Sequence, residues 1–320
     1  MSRTPRYNVY STHLKNKFGA KVYKLPINLP GTCPNRDGAL GRGGCIFCDE
    51  QGAGFECLPN SMAVGKQVLE NKEFFRRRFK AEKFITYFQA FTNTYLPFEE
   101  FKGYILEACP DEDFVGLSIS TRPDCINDRY LDFLREAQQG RGLHINIELG
   151  LQTVNYHTLA AINRGHSLAE FLDAVRRIRS REFDVCVHLI LNLPGDNRLD
   201  AVENAKIISA MDVQYVKLHS LYIVAGTRLG EMYQRGEFEV TPLEEYIRRV
   251  VDFLEHLDPE IVIQRLVGKG PKENLLSCNW GLSWWKVKQL IEARLEEAGT
   301  YQGRLFNYLN GSALRRGLKD

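Results

Sequence analysis

The 320-residue sequence predicts an α/β fold: a partial (β/α)6 barrel over residues 1–240, followed by an α/β extension over 241–320. Two observations carry this expectation. Short runs of β-type residues alternate with longer helical patterns, the order that parallel β/α units require. Four of the strand runs also set polar residues on one face, whereas a strand buried on both sides reads as a near-continuous apolar run.

Taken in order, the strand runs are 22–29, 83–90, 113–120, 143–151, 184–192 and 213–222. Helical patterns at 61–80, 97–109, 127–139, 167–182 and 198–211 connect them. Pro97 followed by Glu99 and Glu100, and Asn127 followed by Asp128, mark helix starts. Proline loses no hydrogen bond in a first turn, and an asparagine side chain accepts from a free backbone N–H. A helix at about 242–257, a strand at 260–266 and a helix at about 283–298 make up the extension.

The alternation says which face looks where. Ile145, Ile147, Leu149 and Leu151 share one face of their strand, and Asn146, Glu148, Gly150 and Gln152 share the other. Val185, Val187, Leu189 and Leu191 alternate likewise with Cys186, His188, Ile190 and Asn192. Gly116, Ser118 and Ser120 oppose Leu117 and Ile119, and Lys217 and His219 oppose Val216 and Leu218. A complete eight-stranded barrel fills its interior with branched apolar side chains. A polar interior fits an open, incomplete TIM-like barrel that holds water or a ligand.

Cys33, Cys45 and Cys48 lie together in the segment CPNRDGALGRGGCIFC, just after the first strand. Three thiols are one short of a closed structural zinc site. On a cube of four irons, three thiolates leave one iron open to a small-molecule ligand. Zinc stays open as a reading if Cys57 serves as a fourth ligand, although Cys57 stands alone beyond Cys48. Disulfides are not expected in a large chain without a signal peptide. Cys57, Cys109, Cys125, Cys186 and Cys278 read by default as small buried hydrophobes.

These segments resemble the radical S-adenosylmethionine (SAM) superfamily, in its bacterial branch related to the catalytic subunit of Elongator. The resemblance rests on the cysteine segment together with YFQAFTNTY (87–95), GLSISTRPDC (116–125), IELGLQT (147–153), HLILNLPGD (188–196) and VKLHSLYIVAGT (216–227). The gap between the first two cysteines is longer than the commonest superfamily spacing. Phe88-Gln89-Ala90 stands where a Gly-Gly-Glu segment often grips the SAM amino group.

The resemblance implies a radical SAM enzyme with a 4Fe-4S cluster held by Cys33, Cys45 and Cys48. The cluster would cleave SAM to a 5′-deoxyadenosyl radical. A modified wobble uridine of tRNA is the implied substrate, and a flavodoxin- or ferredoxin-like protein the implied electron donor. It also places the strand of Glu148 beside SAM, where a carboxylate can accept from the ribose hydroxyls or the ammonium group. Gln89, Ser118, Arg122 and Asn192 lie at or just past strand C-terminal ends, where sites in such folds collect. Gln152 shares the polar face of Glu148, and Gly150 leaves room for a ligand near the backbone. These are cofactor-binding candidates, and no residue is assigned to catalysis. Each polar strand residue could instead be a satisfied interior group. Lys217 could contact substrate or pair with Glu148, and His188 and His219 are open in the same way.

Other classes find little support. The sequence has no Gly-x-Ser-x-Gly elbow and no His-Glu-x-x-His pair, and Gly268-Lys269-Gly270-Pro271-Lys272 lacks the phosphate-loop frame. A zinc-stabilised RNA-binding module without catalysis, and a radical enzyme acting on a protein or metabolite, are the alternatives. The net charge of +2 neither demands nor excludes a nucleic acid. Arg76-Arg77-Arg78 and the run Arg176, Arg177, Arg179, Arg181 read either as solvated helix faces or as phosphate contacts. Trp280, Trp284 and Trp285 read as packing anchors, one of which could stack on a base. No apolar run approaches the roughly 18 residues of a membrane span, so a cytoplasmic protein without a membrane partner is expected.

Overall fold

The computed structural model describes residues 5–50, 52 and 54–314. The chain begins with helix α1 (Tyr10–Phe18) and strand β1 (Val22–Ile27). One turn of helix, α2 (Pro34–Asp37), starts directly after Cys33, and α3 (Val64–Phe79) leads to β2 (Lys83–Phe88). The alternation continues with α4 (Phe98–Glu107), β3 (Phe114–Thr121), α5 (Asp128–Arg141), β4 (His144–Gln152), α6 (Tyr156–Ala161) and α7 (Leu168–Arg179). Then follow β5 (Asp184–Ile190), α8 (Arg198–Ala210), β6 (Tyr215–His219), β7 (Ile223–Val224), α9 (Arg228–Gln234) and α10 (Leu243–His256). Strands β8 (Val262–Arg265) and β9 (Leu275–Ser277) and helix α11 (Trp284–Glu297) end it.

All six expected barrel strands form and pair in parallel, each beside its sequence neighbour. A seventh joins them. The strand expected within the extension, β8, pairs in parallel with β6, giving the order β1-β2-β3-β4-β5-β6-β8. The reason is helix packing. Helix α10 buries Tyr246, Val250, Phe253 and Leu254 in the main core and lies on α8, so the strand that follows returns beside β6. A small antiparallel pair, β7 with β9, lies outside this sheet.

The helix starts follow local chemistry. Asn127 accepts from the Arg129 N–H at 2.9 Å, and Ser167 with Glu170, like Asn197 with Asp200, forms a reciprocal capping box. Pro97 precedes α4 without a side-chain cap. Pro26 inside β1 is tolerated because β1 is an edge strand, paired only with β2.

The sheet's two faces part as the alternation requires. Ile145, Ile147, Leu149, Val185, Val187, Val216 and Leu218 are fully buried in the core under the helices. On the inner face, Cys186, Tyr215 and Val262 form a separate apolar cluster against Tyr10, whose ring meets Tyr215 edge-on at 5.5 Å. This cluster closes the lower end of the half-barrel, at the starts of β6 and β8. The open side between β1 and β8 is also covered. The Ile263 N–H donates to the Asn8 carbonyl at 2.8 Å, and α1 packs against both edge strands. Among the described residues, no helix is long and apolar enough to cross a membrane.

Candidate active site

The cysteine loop sits across the C-terminal ends of the strands. Cys33 precedes α2, whose first-turn Pro34 has the fixed φ a helix start needs. The chain then doubles back. Gly44 has a φ of +74°, and a Cβ there would meet Arg36 Cγ at 2.8 Å, so only glycine fits before Cys45. The Cys48 N–H donates to the Cys45 carbonyl at 3.0 Å, which folds Cys-x-x-Cys into one tight turn. The segment after α6 pins the loop from behind: Ile46 N–H donates to the Ile162 carbonyl at 3.0 Å, and Asn35 Nδ2 donates to the Asn163 carbonyl at 2.7 Å.

Two guanidiniums point at sulfur. Arg164 Nη1 lies 3.4 Å from Cys45 Sγ, and Arg36 Nη1 lies 3.7 Å from Cys48 Sγ. Burial and then the neighbouring Cys45 push the Cys48 thiol up to about 12, and Arg36 works against them. Arg36 lies inside the motif itself; Arg164 lies in an irregular loop with no periodicity to single it out. The room left by Gly150 is taken by Arg164, which donates to the Gly150 carbonyl through Nε at 3.1 Å and Nη2 at 2.5 Å. A Cβ at residue 150 would lie 2.8 Å from that guanidinium.

A cavity of about 190 Å³ lies between this loop and the sheet. Cys33, Cys45 and Cys48 line it, and so do Gln89, Arg122, Glu148 and Gln152. Gln152 reaches it from a β-bulge at the end of β4, with a φ of +79° that turns the side chain off the strand. Arg122 is held as part of the wall by a two-pronged contact with Asp124, at 2.8 and 2.6 Å, and by donation to the Arg164 carbonyl at 2.8 Å. Ser118 and Asn192 are not brought to the cavity wall. Ser118 lies behind Glu148 and donates to it at 2.7 Å, while Asn192 Oδ1 accepts from the Leu221 N–H at 2.7 Å. Cys57 does not line the cavity either.

Glu148 is fully buried at the centre of a charged layer. Lys24 and Ser118 donate to its Oε1. Lys217 Nζ and His188 Nε2 lie 3.1 and 2.7 Å from its Oε2. Lys217 also donates to Tyr87 OH at 2.8 Å, and Lys24 sits 3.9 Å from the centre of the Tyr87 ring. Burial alone would raise the Glu148 carboxyl, but Lys217, Lys24 and His188 hold it well below the usual carboxylate range. Burial, reinforced by Lys217, lowers His188 to about 4. Burial lowers Lys217 to about 8 although Glu148 works the other way. Thus Lys217 does pair with Glu148. Glu148, Cys186 and His188 offer donor atoms within 4.8 Å of one another, yet a divalent cation there would face two ammonium groups. The layer is an ion-pair network.

The sequence agrees with this geometry when set beside known proteins. A family model described as the radical SAM superfamily matches residues 28–208, and one described as the radical SAM C-terminal domain matches 213–297. The chain belongs to the radical SAM superfamily. Members of that superfamily use a 4Fe-4S cluster and SAM, and this chain is a radical SAM enzyme related to Elp3. It is 36% identical over 304 residues to "Uncharacterized protein YtqA" of Bacillus subtilis, covering 95% of this chain and 94% of that protein. It is 28% identical over 151 residues to the tRNA uridine(34) acetyltransferase of Methanocaldococcus infernus, covering 46% of this chain and 27% of that protein. The radical SAM fold itself is similar to the solved structure of Elp3 from Methanocaldococcus infernus, with a TM-score of 0.67 at 18% identity. That likeness covers 88% of this chain and 64% of the Elp3 chain.

Proposed function

We propose that Cys33, Cys45 and Cys48 hold the 4Fe-4S cluster and that SAM occupies the adjoining cavity, with a modified wobble uridine of tRNA as substrate. The observation that carries the reading is the meeting of three motif thiols with the polar inner face of the half-barrel on one cavity. The donor set fits the group: three soft ligands, two of them facing guanidinium donors, with no further thiol of the described residues lining the cavity. When bound, cluster and SAM supply one-electron cleavage of a carbon–sulfur bond and hydrogen abstraction from substrate.

The chain's own residues do the rest. Arg36 and Arg164 offset the negative charge of the thiolates. Gln89, Arg122 and Gln152 offer donors and acceptors to the amino-acid and ribose ends of SAM, and Glu148, its oxygens occupied by Lys24, Ser118, Lys217 and His188, meets SAM by exchanging one of those donors. The apolar closure beneath the charged layer keeps bulk water from entering at the bottom. The tRNA reading is supported by the match to an enzyme named for uridine 34 of tRNA, which spans about a quarter of that enzyme. A flavodoxin- or ferredoxin-like protein is the proposed electron donor.

Anaerobic reconstitution tests the cluster. Cys33→Ala, Cys45→Ala and Cys48→Ala should each lose most iron and all SAM cleavage, whereas Cys109→Ala, buried away from the cavity, keeps both. Full SAM cleavage by any of the three motif variants, or a colourless wild type with one zinc, would overturn the assignment. For the substrate, nucleosides of tRNA from deletion and parent strains are compared by mass spectrometry. Identical wobble nucleosides, together with no tRNA-stimulated deoxyadenosine release, would remove tRNA as the substrate.

A further inference from the structure

Six cations line the cavity, and five of them are matched within the protein. Arg122 meets Asp124, Lys269 meets Glu56 and Lys217 meets Glu148, while Arg36 and Arg164 are held by backbone carbonyls and cysteine sulfurs. Arg265 is the exception. Among the described residues it has no carboxylate or carbonyl partner: its Nη2 lies against the His219 ring, 2.6 Å from Nδ1, and its Nε is buried with no partner at all. The backbone packs closely around it, since a Cβ at Gly268 would lie 3.3 Å from Arg265 Nη2.

Its placement sharpens the point. Arg265 in β8 is the direct cross-strand partner of Lys217 in β6, and both line the cavity. Like charges set opposite each other across a sheet repel. Lys24 and Lys217 share the Glu148 carboxylate, whose oxygens also take donors from Ser118 and His188, and among the described residues no ion pair joins Arg265 to it. His219 adds no charge, because burial and then Arg265 hold its ring well below the usual histidine range. A semi-buried guanidinium with an unused donor, beside a second cation, lacks one thing: an oxyanion.

We propose that the inner end of the cavity is an oxyanion site, where Arg265, with Lys217 beside it, receives a carboxylate or phosphate group of the substrate. The proposal rests on the reading above, in which SAM and cluster take the cysteine end. It deepens that reading by requiring that the part of the substrate inside the barrel be anionic.

The test uses the anaerobically reconstituted holoprotein with saturating SAM, titrated calorimetrically with inorganic phosphate and, separately, with acetate. Wild type should bind at least one of them saturably. Arg265→Gln should weaken that binding at least tenfold, and Lys15→Gln, an exposed substitution on α1, should leave it unchanged. Arg265→Lys keeps the charge without the fork, and should bind several-fold more weakly than wild type. The proposal falls if wild type binds neither anion at tens of millimolar, or if both Arg265 variants bind as wild type does. It falls too if anion binding seen without SAM vanishes when SAM is added, because the site then belongs to the carboxylate of SAM. SAM cleavage is measured on the same samples, so loss of the radical reading registers separately from loss of the anion site.

Discussion

Glu148 shows how much a single residue owes to partners far away in sequence. Its place on a polar strand face was legible from the alternation alone. Its environment was not, because Lys24 lies 124 positions away and Lys217 lies 69 positions away. Such pairings are set by the closing of the sheet, and no local pattern encodes them. Arg164 and Arg265 escaped the sequence reading for the same reason. One sits in an irregular loop, and the other sits on a strand whose place in the sheet was not foreseen. Removing the Glu148 charge should therefore cost stability first. Glu148→Gln leaves the buried Lys217 and the half-buried Lys24 ammonium groups without a counter-charge and should lose about 3–5 kcal/mol in urea unfolding. The double variant Glu148→Gln with Lys217→Met should lose less than the single one. If the double variant is the less stable, the network is not what Glu148 supports. Its proposed part in binding SAM is measured on folded protein, where one lost charge-assisted hydrogen bond should weaken SAM by about 1–3 kcal/mol.

At the scale of elements, the strands and connecting helices were legible almost to their ends, since period-2 alternation and helix-start residues are local signals. What was hidden is where β8 goes, because that depends on α10 lying against α8. The turn between β5 and α8 offers a separate test. Asp196 Oδ1 accepts from Thr158 Oγ1 at 2.5 Å, while its Oδ2 is buried without a partner. Burial pushes this carboxyl from its ordinary 3.8 up to about 6, against the pull of Thr158. The fold thus binds the Asp196 proton more tightly than the unfolded chain does. This group's contribution falls as pH rises from about 4 to 6 and stays unfavourable above that. Asp196→Asn should gain about 1–3 kcal/mol at pH 8, with little change at pH 4. A thermal midpoint at pH 8 that is unchanged or lower would mean the ionised carboxylate is tolerated after all.

Over the whole molecule, the arginine runs that looked available for phosphate are largely spoken for. Arg76 meets Asp113 at 2.6 Å and Arg179 meets Asp212 at 2.9 Å, while Arg177 and Arg181 share Asp128. Arg76→Ala and Arg179→Ala should leave tRNA affinity within about twofold of wild type and the slope of log affinity against log salt unchanged. A shallower slope in either variant would return that face to the RNA. The sealed lower end of the half-barrel has a consequence of another kind. With Tyr10, Cys186, Tyr215 and Val262 shutting the bottom and α1 covering the side, every visitor uses one doorway, past the cysteine loop. Substrate and SAM then share one approach, so a group that must lie deep in the barrel has to be slender enough to pass a neighbour already seated nearer the mouth.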